Sequence, residues 1–331
     1  MRHLAIILTL GVLVCIPAAA LATTYTFQTV ISAGDPAFTQ TLGINNAGTV
    51  AGYFGDGTLV PNNGFTVTSP YGGASFTPEN FPGSAQTQVI GINNNGETVG
   101  FYVDGMGNTH GFKDVGGSFS TVDNPAGNGS PLVTQLLGVN DTGEAAGYYT
   151  DASGNFQPFT YNPGSQTFTA ISFSTEVSAQ ATDVNNAEDV TGFNINASGN
   201  SDGFLDVGGA FTQLDFPGAV STQALGLNNE GDVVGFYLDS SLNTHGFLYI
   251  VATGTYQEIN DPNAAGSTVI NGINDKGQIV GFFTDASGNV DGFVGTPPAA
   301  TPEPSSLPLL AAGFFGLCGY ARKKLALPAS N

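Results

Sequence analysis

Between residues 38 and 294 the chain reads as short runs of β-type residues cut by turns rich in Gly, Asn and Asp. One stretch shows the pattern most clearly: T-Q-V-I-G-I, T-V-G-F-Y-V, H-G-F-K-D-V and S-F-S-T-V-D, at 87–92, 98–103, 110–115 and 118–123. Between them lie N-N-N-G, D-G-M-G-N and G-G, each able to supply the positive φ of a tight turn. The pattern predicts four antiparallel strands joined by short hairpins. At the two ends it gives way to apolar runs, at 4–16 and 306–321.

The four-strand unit recurs. A G-I-N-N-x-G marker, followed by a small or β-branched residue, Gly and an aromatic, begins at Gly43, Gly91, Gly138, Asp183, Gly226 and Gly272, with steps of 48, 47, 45, 43 and 46. A period near 46 with four strands per unit is that of a propeller blade. The copies start near residues 38, 86, 133, 178, 221 and 267. The sixth runs only through its third strand before a proline-rich stretch, and the missing piece stands at the start of the body, where T-Y-T-F-Q-T-V at 24–30 resembles the fourth-strand segment A-F-T-Q-L-D-F of the fourth copy. The expected fold is therefore all-β: a six-bladed β-propeller over 23–296, closed by its N-terminal strand, which leaves no sheet edge to aggregate. A stacked solenoid would need terminal caps instead of an out-of-phase strand.

The ends carry addresses. Residues 1–22 combine Arg2, an apolar run and a small-residue finish with Ala20 and Ala22 at the places before a cleavage point at Thr23, which predicts a cleavable secretory signal. Beyond a Pro-rich linker at 297–305, the segment 306–331 opens with the 16-residue apolar run 306–321, a length that barely spans a bilayer as a transmembrane helix, and then carries Arg322, Lys323 and Lys324. The basic stop puts that end toward the cytoplasm and the body outside. Pro302, Glu303 and Pro304, the apolar run with Gly313 and Gly316, and the Arg-Lys-Lys cluster, in this order, resemble the PEP-CTERM sorting signal of exopolysaccharide-producing Gram-negative bacteria. That resemblance implies an exosortase-type enzyme as partner, which removes the tail, and an inner-membrane-anchored precursor that ends at the cell surface or outside the cell. The N-N-x-G, V-G-F-Y and T-H-G-F segments also look like HAF-type extracellular repeats over most of 38–294, a family that carries no activity over to particular residues.

Composition narrows the partners. There are 26 acids against 6 Lys plus Arg, and of the basic residues only Lys113 and Lys276 lie in the body. Nucleic acid and anionic lipid surfaces, which require clustered cations, are excluded as expected partners of the body. Cys15 and Cys318 are the sole cysteines, one in each terminal segment, so the body has no thiol for a disulfide, a zinc site or a nucleophile.

Candidate chemistry follows the repeat. Asn45, Asn93, Asn140, Asn185, Asn228 and Asn274 open the first hairpin of each copy and read as turn formers that cap their own backbone. The glycines of the second strand (such as Gly52 and Gly100) are expected where neighbouring blades approach closely, and the third-strand aromatics (such as Phe65 and Phe112) in the core between blades. His110 and His245 fill a slot that holds Asn63, Gln157, Asp202 and Asp291 in the other copies, and are read as polar fillers. Asp104, Asp151, Asp239 and Asp285 lead into D-x-S-G-N-type loops. They are read as hairpin turns with a loose attraction for Ca²⁺, and no cofactor is expected. A last periodic set, Gln40, Gln88, Gln135, Gln180 and Gln223 with Thr39, Thr87, Thr134, Thr222 and Thr268 beside them, falls at one mouth of the central channel, where a small polar or saccharide ligand would bind or where the side chains solvate the wall. The reading that these features support is a non-catalytic surface or matrix protein contacting exopolysaccharide. A glycan-active hydrolase or lyase, marked by a non-periodic carboxylate pair in the channel, and a Ca²⁺-dependent adhesion module are the alternatives.

Overall fold

The computed structural model describes residues 25–173 and 178–299. These form six four-stranded antiparallel sheets, five of them built from consecutive strands. The inner strands are Thr39–Ile44, Gln86–Ile92, Thr134–Val139, Ser178–Val184, Ser221–Leu227 and Thr268–Ile273. They pack side by side around a central axis, each touching the inner strands of its two neighbours. The molecule is a six-bladed β-propeller. In the sixth sheet the order is Thr26–Val30, Val290–Thr296, Ile279–Thr284 and Thr268–Ile273, with Thr26 opposite Thr296 and Val30 opposite Gly292 in antiparallel register.

Turn chemistry sets the strand limits. In blade two the strands are Gln86–Ile92, Thr98–Val103, Thr109–Val115 and Ser118–Thr121. The outer one stops two residues short of the expected 118–123, because Val122 and Asp123 already belong to the crossing toward blade three. Gly116 and Gly117, at φ 61° and 87°, make the mirror-image turn whose twist matches that of paired strands. Each inner strand also slips register by one residue against the second strand, as between Val89 and Gly91.

Packing fills the spaces between blades. Phe112, fully buried, joins Val89 and Ile92 of its own blade and Ala51 of blade one. Phe159 of blade three packs with Val99 and Val122 of blade two. Burying a side chain of this size contributes about 1.5–3 kcal/mol. The second-strand glycines do a different job from the one expected: a Cβ on Gly100 would lie 2.0 Å from the Gln88 carbonyl oxygen and 3.0 Å from the Phe112 ring, both in the same blade. They let the third-strand ring lie flat over their own sheet. Close approach between blades occurs instead on the inner strands, where a Cβ on Gly91 would stand 3.1 Å from Gly138 Cα and one on Gly272 would stand 3.3 Å from Gly43 Cα.

Candidate functional site

The inner strands enclose a central cavity of about 440 Å³, within the range of small-molecule sites. Strand alternation determines its wall, since every second residue of each inner strand faces the axis. One mouth is lined by Gln40, Gln88, Gln180 and Gln223 and by the rings Tyr53, Phe193, Phe236 and Phe282. Three of these rings lie directly across the hairpin from a lining glutamine: Gln40 faces Tyr53, Gln180 faces Phe193 and Gln223 faces Phe236. The waist is formed by Leu42, Ile90, Leu137 and Leu225 together with Thr182 and Asn271. Beyond it lie the asparagines of the inner hairpins.

Of the five glutamines expected at the mouth, Gln135 is not on the cavity wall, and Val269 takes the place in blade six. Gln40 accepts a hydrogen bond from the Tyr53 hydroxyl at 2.7 Å. Gln88 donates to Asn62 Oδ1 at 2.7 Å and Gln223 to Ser201 Oγ at 3.0 Å. Burial pushes the Tyr53 phenol up to about 12, so it stays a neutral donor. The neighbouring threonines are not wall residues at all. They are buried, and the hydroxyls of Thr39, Thr87, Thr134, Thr222 and Thr268 accept the backbone N–H of Ser32, Phe81, Asn124, Phe216 and Asp261. Each fixes the segment that enters its blade.

The hairpin asparagines at the other end cap their own turns and also reach across. Asn93 Oδ1 accepts from Asn95 N and Glu97 N, each at 3.0 Å, while its Nδ2 donates to the Asn140 carbonyl at 2.9 Å in the next blade. The next residue in each copy adds a second layer. The N–H groups of Asn46, Asn94, Asp141, Asn186, Asn229 and Asp275 each donate to the side-chain Oδ1 of the following blade at 2.8–3.0 Å, and the last link returns from Asp275 to Asn46. The six links form a closed ring. Two carboxylates hold it: Asp141 Oδ2 accepts from Asn94 and Asn186, and Asp275 Oδ2 from Asn46 and Asn229. Burial alone raises the pKa of both acids, but the surrounding amides outweigh it and hold Asp141 and Asp275 below their usual value.

One wall residue breaks the repeat. Asp183 stands where the other five blades have glycine, with its carboxylate seated against Gly138 of blade three. Oδ1 accepts from Val184 N and Oδ2 from Leu227 N of blade five, each at 2.9 Å. Enclosure in the wall pushes its carboxyl up to about 7 against these two donors. The repeat itself held the signal: an Asp in a column of glycines is the non-periodic acid that periodicity hides when only the shared positions are compared.

The other expected residues lie apart from the cavity. Asp104, Asp151, Asp239 and Asp285 sit in four different hairpins, and each carboxylate is occupied by its own turn. Asp104 Oδ1 accepts from Met106 N and Asn108 N, and Oδ2 from the Asn108 amide. The Asn243 side chain and N–H do the same for Asp239 and bring it down to about 2. Among the described residues no group of three or more His, Cys, Asp or Glu side chains is arranged to hold a metal ion. His110 lies between Asp123 at 2.8 Å and Asp104 at 3.3 Å and stacks on Tyr102; His245 repeats this with Asp239 at 3.3 Å and Tyr237. Both histidines clamp the loop acid of their own blade, the task Gln157 performs for Asp151. Ala20, Ala22, Pro302, Glu303, Pro304, Arg322, Lys323, Lys324 and the expected helix at 306–321 lie outside the described residues.

The sequence profile of the PEP-CTERM protein-sorting motif covers the tail. Residues 300–324 match it. The body resembles solved propellers at low identity. A putative TolB from Agrobacterium tumefaciens is 10% identical, with 82% of this chain and 98% of that one covered at a TM-score of 0.56. The SapL1 lectin in complex with alpha methyl fucoside is 9% identical, with 81% and 98% covered at 0.51. No curated protein matches the chain. At these identities the likeness extends to the fold.

Proposed function

We propose that this protein is exported, sorted through its C-terminal motif by an exosortase-type enzyme, and serves at the surface or in the matrix of a Gram-negative bacterium as a non-catalytic propeller that contacts exopolysaccharide. The domain plan is a signal peptide at 1–22, a propeller over 23–296 that the N-terminal strand closes, a linker at 297–305 and a removable tail at 306–331. The match at 300–324 supports the route, and the likeness of the body to HAF-type repeats supports the destination. The observation that carries the binding reading is the mouth of the central cavity, where amides and aromatic rings share one wall. That pairing suits a pyranose, whose hydroxyls need both donors and acceptors and whose C–H face stacks on rings. A fucoside-binding lectin among the propellers of similar fold is in keeping with it.

A second reading draws on Asp183. A single enclosed carboxyl held near pH 7 is what a glycosidase general acid requires, although hydrolysis also needs a second, free carboxylate, and Asp141 and Asp275 are engaged by asparagines. A glycan array probed with the purified protein tests the first reading. Binding that is lost on replacing Gln88 and Gln223 by Ala supports it. An array without binding, or glycan cleavage that disappears in D183N, overturns it. For the sorting route, mass spectrometry of secreted material is expected to find the chain without Lys323 and Lys324, and an intact tail there rejects processing.

A further inference from the structure

The cavity wall carries charge of one sign. Asp141, Asp183 and Asp275 line it, and the lining residues include no Lys, Arg or His. Two of the three carboxylates are used up as acceptors of the asparagine ring. Asp183 is not: each of its oxygens takes one backbone N–H, which leaves a lone-pair site on each. The waist around it is mostly aliphatic, formed by Leu42, Ile90, Leu137 and Leu225. The Thr182 hydroxyl spends its proton on the Thr191 and Ala224 carbonyls, so only its lone pairs remain. The Oδ1 of Asn271, at the matching place of blade six, has no hydrogen-bond partner but is buried out of a ligand's reach, so it makes no contact with one. Unmet acceptor capacity on a carboxyl in a wall that is otherwise aliphatic is costly.

A group that would satisfy Asp183 in a wall without Lys, Arg or His has several donors and a positive charge, which describes a primary ammonium. The Gln mouth is taken as the route to it, since the opposite end is rimmed by the hydrogen-bonded ring that runs from Asn46 round to Asp275. Along that route the faces of Tyr53, Phe193, Phe236 and Phe282 accept the C–H face of a sugar and attract a cation as well. We infer that the cavity binds a glycan unit carrying a free amine, a 2-amino-2-deoxyhexose, through the Gln mouth and with its ammonium against Asp183. The inference rests on the glycan-binding reading above and adds the class of sugar. It also sets a specificity: N-acetylation removes the charge and two donors, and a uronate meets three carboxylates with no counter-charge.

The test is calorimetric titration of the full-length protein with three tetrasaccharides of equal length: β-1,4-linked glucosamine, its N-acetylated form, and β-1,4-linked glucose. The glucosamine oligomer is expected to bind at least tenfold more tightly than either of the others. D183G, which gives blade four the residue that the other five blades carry, is expected to remove that preference while cooperative unfolding is retained. D183N serves the same purpose, should the glycine variant fail to fold, because its amide oxygen still accepts from one of the two N–H groups. Equal affinity for all three oligomers, or a preference that survives in both variants, overturns the amine assignment and leaves glycan binding standing. No binding of any oligomer overturns both.

Discussion

At the residue scale, the most informative position is the one at which the repeat fails. Asp183 is enclosed, and its carboxyl stands near 7 in the folded protein against about 3.9 in an unfolded chain. Between these values the folded state holds one more proton than the unfolded state. Stability contributed by the neutral carboxyl is therefore present at pH 4 and is lost as the pH rises through 7. In D183G this loss is absent. The difference in Tm between variant and wild type is expected to rise from pH 4 to pH 8, and thermal scans at four pH values check it; a difference independent of pH would mean that the carboxyl titrates as if exposed. The sequence contained this residue in plain view at the head of the fourth marker. Its meaning depended on which side of the inner strand faces the cavity and on Gly138 leaving room beside it, neither of which a one-dimensional pattern encodes.

At the scale of elements, hairpin chemistry was legible and inter-strand contacts were not. N-N-x-G, D-x-x-G-N and G-G impose local geometry within four or five residues, so the strands of blade two fall within two residues of their expected limits. The second-strand glycines face a different neighbour from the one the pattern predicts, for the converse reason. Which atom a missing Cβ makes room for, the Gln88 carbonyl and the Phe112 ring in the case of Gly100, follows from register and twist, and not from composition. The hairpin asparagines likewise announced a turn but not the bonds from blade to blade. Those bonds support a prediction about cooperativity among elements. Asp141→Ala removes the acceptor of Asn94 N, Asn94 Nδ2 and Asn186 Nδ2, and is expected to cost about 1–3 kcal/mol in denaturant unfolding through the donors it strands. Asp151→Ala, which disturbs one hairpin only, is expected to shift the midpoint less. If the two variants unfold alike, the ring is not coupling the blades.

At the scale of the whole molecule, the two ends of the body are unequal. Residue Val30 is fully buried in a cluster with Val50, Phe65 and Val67 of blade one and Val280 and Val294 of blade six, and its strand pairs with residues 292–296 of Val290–Thr296. The compact unit runs from Tyr25 to Pro297. Removing the segment 298–331 takes away none of the strands of the described residues, and a chain ending at Pro297 is expected to keep its Tm within about 2 °C, a change that corresponds to about 1 kcal/mol for a protein of this size. Removing residues 23–30 has the opposite consequence. It strips an antiparallel partner from Val290–Thr296, exposes that strand's row of N–H and C=O groups, and opens the cluster between blades six and one. A protein secreted without these residues is expected to elute as aggregate or to unfold at a markedly lower temperature. Size-exclusion chromatography of the two truncations side by side decides the matter. If the N-terminal truncation stays monomeric and as stable as the C-terminal one, the blade-six strand does not depend on Thr26–Val30, and the out-of-phase segment is an addition to the ring, not its closing strand.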